Sequence, residues 1–248
     1  MNENDYAREA LESHMLGDNP TVTLGMIARM YRSEGYDKRA IRRALEEHLL
    51  RADPDIILPF WSKSLERVVN DSDKRKPVEI DRIAITENEL ARIKMINGIQ
   101  AQRVAFTLLC LAKYWDVRFD TNTHVVHTPH ADVFALANIA TSLERRCKII
   151  RDLKESGLLS YRKYFTDLRV TVNYIEEGHV AMYITDLRNL GYQYMAMNGG
   201  NYMECESCGK TIPRKTNNQK FCKECAEREH LLRSAEYMRK RRDTYLPS

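Results

Sequence analysis

The stretch TSLERRCKIIRDLKESGLLSYRKYFTDLRVTVNYI, residues 141–175, decides how this chain is read. Thr141 with Glu144 three residues on is a capping-box pattern, so a helix is expected to start there. Leu143, Cys147, Ile150 and Leu153 then fall at i, i+4, i+7 and i+10 as an inner stripe. Arg145, Lys148 and Arg151 project from the other side at i, i+3 and i+6. Gly157 stops the helix. Residues 158–161 open a strand, and residues 168–175 alternate with β-branched side chains as a second strand does. A basic helix, a glycine stop and a hairpin form the close of a winged helix. In that fold the helix enters the major groove and the hairpin touches the backbone. The hairpin carries Arg162, Lys163 and Arg169, interleaved with Tyr161 and Tyr164, residue types that lie along phosphates and sugars.

Upstream, residues 99–114 (IQAQRVAFTLLCLAKY) form the most hydrophobic helix of the chain and the expected centre of this core. Thr86 and Glu89 make a second capping box for a helix running to about residue 96, interrupted by Gly98. Residues 131–139 form a short helix after Pro129. Downstream, Glu177 and Gly178 turn the chain into a further strand over 179–184. Residues 78–198 are therefore expected to be a winged-helix-like domain. Such domains also serve as protein–protein modules, so the order of elements does not by itself demand DNA.

The first quarter reads as helices over 6–15, 23–33, 37–50 and 61–69, with Asp37 capping the third. The second and third are joined across Gly35 in a helix-turn-helix-like shape. The third carries Lys38, Arg39, Arg42 and Arg43, either as a DNA-facing helix or as the solvated face of a helical hairpin. The hairpin is the reading taken. Residues 70–77 (NDSDKRKP) hold no apolar side chain but the closing proline and read as a linker, which bounds an N-terminal helical domain at 1–72.

Cys205 and Cys208 form one C-x2-C pair, Cys222 and Cys225 another, with thirteen residues between the pairs. Each pair places two thiolates on one edge of a tetrahedron, and together they complete a four-thiolate zinc site. Gly209 follows the first pair, where a tight knuckle favours positive φ. The second pair runs into a helix expected over 226–242. This is a treble-clef or zinc-ribbon layout, giving a third module at 203–248 with one structural Zn2+. Four protein thiolates leave zinc no open position, so catalysis by this metal is not expected. Cys110 and Cys147 sit among apolar neighbours and read as small core residues. His124, His127 and His130 are spaced H-x2-H-x2-H, but Pro129 breaks the series and no acidic or thiol partner is fixed beside it. They read as a polar loop.

The 248 residues carry 39 Lys+Arg against 35 Asp+Glu, a formal net charge of +4. From Cys205 onward there are eleven bases and six acids, which leaves the rest of the chain at −1. The bases there include Lys210, Arg214, Lys215, Lys220, Arg239, Lys240, Arg241 and Arg242, a basic tail of the kind that favours polyanions, nucleic acid first. No apolar run approaches a membrane span, the longest being nine residues over 104–112 and broken by Thr107. The polar, acidic start is no signal peptide, so a cytoplasmic protein is expected. The chain holds no glycine-rich phosphate loop, nucleophile elbow or zinc-protease motif, so no enzyme is expected.

Three stretches, QRVAFTLLCLAKYWD (102–116), YITDLRNLGYQYM (183–195) and CESCGKTIPRKTNNQKFCKEC (205–225), together resemble a family carried by prophages and mobile elements of low-GC Gram-positive bacteria. The resemblance implies a helical front half, a C-terminal four-cysteine finger and a phage-like setting. The expected protein is thus mainly α with a small β component. It binds nucleic acid, DNA before RNA, as a regulator or replication-associated factor. The alternative is a phage-encoded inhibitor or adaptor that binds a host protein, using the tail-helix stripe Leu231, Ala235 and Met238, which also suits a homodimer.

Overall fold

Helix boundaries follow the caps written into the sequence. Asn19 caps α2 (Pro20–Ser33) with its side chain on the Val22 amide, and Pro20 opens that helix. Asp37 caps α3 (Lys38–Ala52), accepting from the Ala40 amide at 2.7 Å. With α1 (Glu3–Ser13) before them and α4 (Leu58–Asp71) after, these helices bury Leu24, Ile27, Leu45, Leu49 and Leu65 in one core. The computed structural model describes residues 2–17, 19–161 and 169–245. For Ala235, Glu236 and 239–245 it describes the backbone alone. The chain divides into two compact units, Met1–Ile83 and Ala84–Ser248.

The stretch 70–77 is not the free linker its composition suggests. α4 runs on to Asp71, and Asp73 bridges Arg32 and Lys38. Beyond it the Glu3 amide donates to the Val78 carbonyl at 2.9 Å. These bonds hold the stretch against the first unit, which is why charged residues there need not mean a mobile chain. Lys38 and Arg42 of α3 are likewise engaged locally, Lys38 with Asp73 and Asn70 and Arg42 with Glu46 and Ser62, while Arg39 and Arg43 are exposed.

In the second unit, β1 (Ile83–Thr86) leads into α5 (Glu87–Lys94) through the expected Thr86/Glu89 capping box, both halves of which are formed. Gly98, at φ +93°, breaks the chain before α6 (Ile99–Phe119), whose Val104, Phe106, Leu108 and Leu109 are fully buried. There follow β2 (Val125–Val126), α7 (His130–Leu136), α8 (Leu143–Glu155), β3 (Leu159–Ser160) and β4 (Val170–Val172). The three strands form one antiparallel sheet in the order β2–β4–β3, with Leu159 opposite Val172 and Val126 opposite Val170. β5 (Val180–Ile184) pairs with β1, not with its sequence neighbour β4. α9 (Leu190–Met197), β6 (Tyr202–Glu204), β7 (Thr211–Pro213) and α10 (Lys223–Tyr245) complete the unit. The described protein is thus mainly helical, with small sheets and a C-terminal cysteine cluster. Among the described residues no helix is long and apolar enough to cross a membrane.

Two local expectations fail. The cap of α8 is Ser142, which accepts from the Arg145 amide, one residue later than the Thr141/Glu144 pattern implies. The buried face differs as well: Leu143 is exposed and Cys147 half-buried, and Ile149 joins Ile150 and Leu153 inside. The strand expected over 168–175 closes at Val172, and Tyr174 leaves the sheet to bury its ring and donate to the Ala105 carbonyl at 2.6 Å.

Candidate metal centre and basic surface

Cys205 follows β6 directly, and its carbonyl accepts from the Gly209 amide at 2.8 Å while its amide donates to the Lys210 carbonyl. This tight turn needs Gly209 at φ +71°, a conformation that costs a residue with a Cβ more than it costs glycine. The β6–β7 hairpin, with Met203 opposite Ile212, carries the chain back. Cys222 precedes α10 and Cys225 lies in its first turn. The four sulfurs lie within 4.8 Å of one another, and Cys208 Sγ stands 3.9 Å from Cys222 Sγ. A tetrahedral tetrathiolate ion with bonds of about 2.3 Å sets its sulfurs about 3.8 Å apart, so this donor set fits one metal ion. All six cysteines are free thiols.

The thiols are not equivalent. Burial opposes ionisation of Cys205, but the amides of Cys222, Cys208 and Ser207 outweigh it and bring the thiol down to about 6. Burial, joined by the neighbouring sulfurs, pushes Cys208 up to about 12 and raises Cys222. A bound cation removes those protons, so metal affinity rises with pH. Around the sulfurs, the Cys222 amide points at Cys205 Sγ (3.2 Å) and Arg228 at Cys225 Sγ (3.5 Å).

Sequence reasoning missed the residues that seat this centre on the rest of the unit. Arg188 donates to the Cys208 carbonyl at 2.6 Å and Asn189 to the Thr211 carbonyl at 2.8 Å. Asn189, at φ +53°, also accepts from Asn138, whose own side chain takes the Tyr192 amide. Arg103 of α6 donates to the Ala137 and Asn138 carbonyls. Gly191 lies so close to Ala137 that a Cβ there would overlap its carbonyl. The one local signal was asparagine, which tolerates left-handed backbone better than most residues.

On α8, Arg145, Lys148 and Arg151 are all exposed, spread over about 9 Å of helix at 1.5 Å per residue. Lys154 continues the i+3 row and sits over the Tyr161 ring at 4.1 Å. The expected Arg162 and Lys163 lie outside the described residues, and Arg169 is exposed. Near the cysteines Arg214, Lys215 and Lys220 are exposed, Lys220 with Glu206 at 3.5 Å, while Lys210 is half-buried and paired with Glu224 at 3.1 Å. The backbone at Arg239, Lys240, Arg241 and Arg242 is helical.

No family model, curated protein or solved structure matches this chain.

The three loop histidines do not converge. His124 Nδ1 lies 2.6 Å from the buried Asp116 carboxylate, His127 meets the edges of Trp115 and Phe119, and His130 packs on Phe134. Among the described residues the four cysteines are the one cluster of such side chains able to hold a metal ion.

Proposed function

We propose that this chain is a nucleic-acid-binding protein of a phage or mobile element, acting in the bacterial cytoplasm without enzymatic activity. In this reading residues 78–198 form a winged-helix-like domain that reads duplex DNA, and a structural zinc finger of treble-clef or zinc-ribbon type adds phosphate contacts. The observation that carries it is α8. It stands third in the order α6–β2–α7–α8–β3–β4, over a β2–β4–β3 sheet, with Arg145, Lys148 and Arg151 on its exposed face. Arg169 beside β4 supports a wing that touches phosphates. Zinc is the metal that four thiolates in tetrahedral array suit best, and it holds the knuckle against α10.

The test is a titration of the zinc-loaded protein with duplex DNA across a salt series. Each phosphate neutralised adds about 0.9 to the log–log slope. Replacing Arg145, Lys148 and Arg151 by alanine is expected to flatten that slope by about 3. An unchanged slope, or no binding at low salt by folded, metallated protein, overturns the reading. A specific observation favours the alternative of a host-protein partner or a homodimer: Leu231 and Met238 of α10 are 69% and 57% exposed. Loss of function in Leu231→Asp with DNA binding intact distinguishes it.

A further inference from the structure

The first unit contains a feature that the DNA reading does not use. Two adjoining clefts, of about 440 and 600 Å3, open between α2, the end of α4 and the segment that follows it. Such volumes lie within the range of about 300–1,000 Å3 usual for small-ligand sites. They share Arg29, Lys74 and Arg75, and Arg67 lines one, Arg32 and Lys76 the other. Six bases thus face three acids, of which Asp71 is held by Lys74 at 2.6 Å, Asp73 by Arg32 and Lys38, and Glu79 accepts from Asn4 at 2.8 Å. The lining is therefore cationic on balance.

The floor is built, not incidental. The Arg29 side chain is 8% exposed, and its Nε donates to Glu3 at 2.8 Å, which orients the guanidinium. Its Nη1 end is turned towards Gly25. Glycine inside a helix weakens it relative to alanine and asks for a reason. Packing supplies none: a Cβ at Gly25 would meet Arg29 Nη1 at 3.4 Å, ordinary contact, and nothing else within 4 Å. The missing side chain leaves the guanidinium edge open to the cleft.

We infer that this cleft binds the phosphoryl groups of a small anion of the polyphosphate or nucleotide class. A planar guanidinium fixed by a carboxylate and flanked by further arginines and lysines matches phosphate oxygens in geometry as well as charge. A DNA backbone offers the same oxygens on a much larger body, whereas an Arg29 side chain only 8% exposed at the base of the cleft suits a ligand that enters end-on.

The experiment is calorimetric titration of the full-length, metal-loaded protein with inorganic pyrophosphate, with ATP and with a single-stranded oligothymidylate. Pyrophosphate and ATP are expected to bind and to compete with each other. Gly25→Leu, which fills the cleft, and the double variant Arg67→Ala/Lys76→Ala are each expected to weaken both at least tenfold. The double variant alters exposed side chains alone and keeps the test valid should Gly25→Leu disturb the fold. Absence of binding by pyrophosphate and ATP, or unchanged affinity in the double variant, overturns the inference. Binding of the oligonucleotide alone overturns it as well: the cleft is a backbone-phosphate track if the double variant weakens that binding, and takes no part if the binding is unchanged and so belongs to the second unit.

Discussion

His48 shows what one buried side chain asks of its surroundings. Its ring is 2% exposed in α3, with Nε2 3.2 Å from the Met15 carbonyl. Burial foremost, and the positive charge of Arg51, hold its pKa below 6.5, against the carbonyl, which favours the proton. The unfolded chain therefore takes a proton near pH 6.5 that the folded chain refuses. The neutral ring's contribution is whole above that pH and is lost as pH falls towards the folded value. Denaturant midpoints measured between pH 7 and 5 are expected to fall with pH, and less so in His48→Gln. Equal loss in both proteins would assign the acid sensitivity elsewhere. His130 shifts in the same direction, by burial and by Arg146, and adds to the second unit's acid sensitivity.

At the scale of elements, the four-cysteine cluster joins pieces that have little else to hold them. β6 and β7 are three residues each, and the described side chains of α10 are mostly exposed. An apolar cluster of Ile212 with Met203 and Phe221 gives the cysteines a small core. So short a hairpin is marginal alone, whereas a structural zinc ion in a small finger contributes about 10–16 kcal/mol of binding free energy. Removing the metal with a strong chelator is expected to release one ion per chain and to loosen the knuckle and the start of α10. Far-UV circular dichroism reads the lost helix, and cobalt substitution reads the tetrahedral thiolate field. Retained helicity with no metal released would contradict a structural ion. α9 is expected to persist, since Gly191 closes on Ala137 and Asn189 bonds Asn138, just past α7, independently of the sulfurs.

For the whole molecule, the first unit has its own core and its own closing contact, the Glu3–Val78 bond, so the fragment 1–83 is expected to fold alone. Cooperative thermal unfolding of that fragment checks it, and a gradual, coreless melt would contradict it. Local chemistry determined most of the helices: Asp37 and the Thr86/Glu89 box act within three residues, and the apolar run 104–112 names the buried middle of α6. The two C-x2-C pairs likewise announced the four-cysteine cluster, because the spacing within each pair is itself local. Partnership between distant segments was not written at that range. That α8 buries Ile149 with Ile150 and leaves Leu143 outside is a matter of packing, and β5 chose β1, ninety-odd residues away, over its neighbour. The Arg29 floor and the seat of the cysteine cluster on Arg188 and Asn189 join residues twenty or more apart in sequence. Only the packed chain brings them within reach, since contacts of that separation are selected by the sum of the core and not by any one stretch.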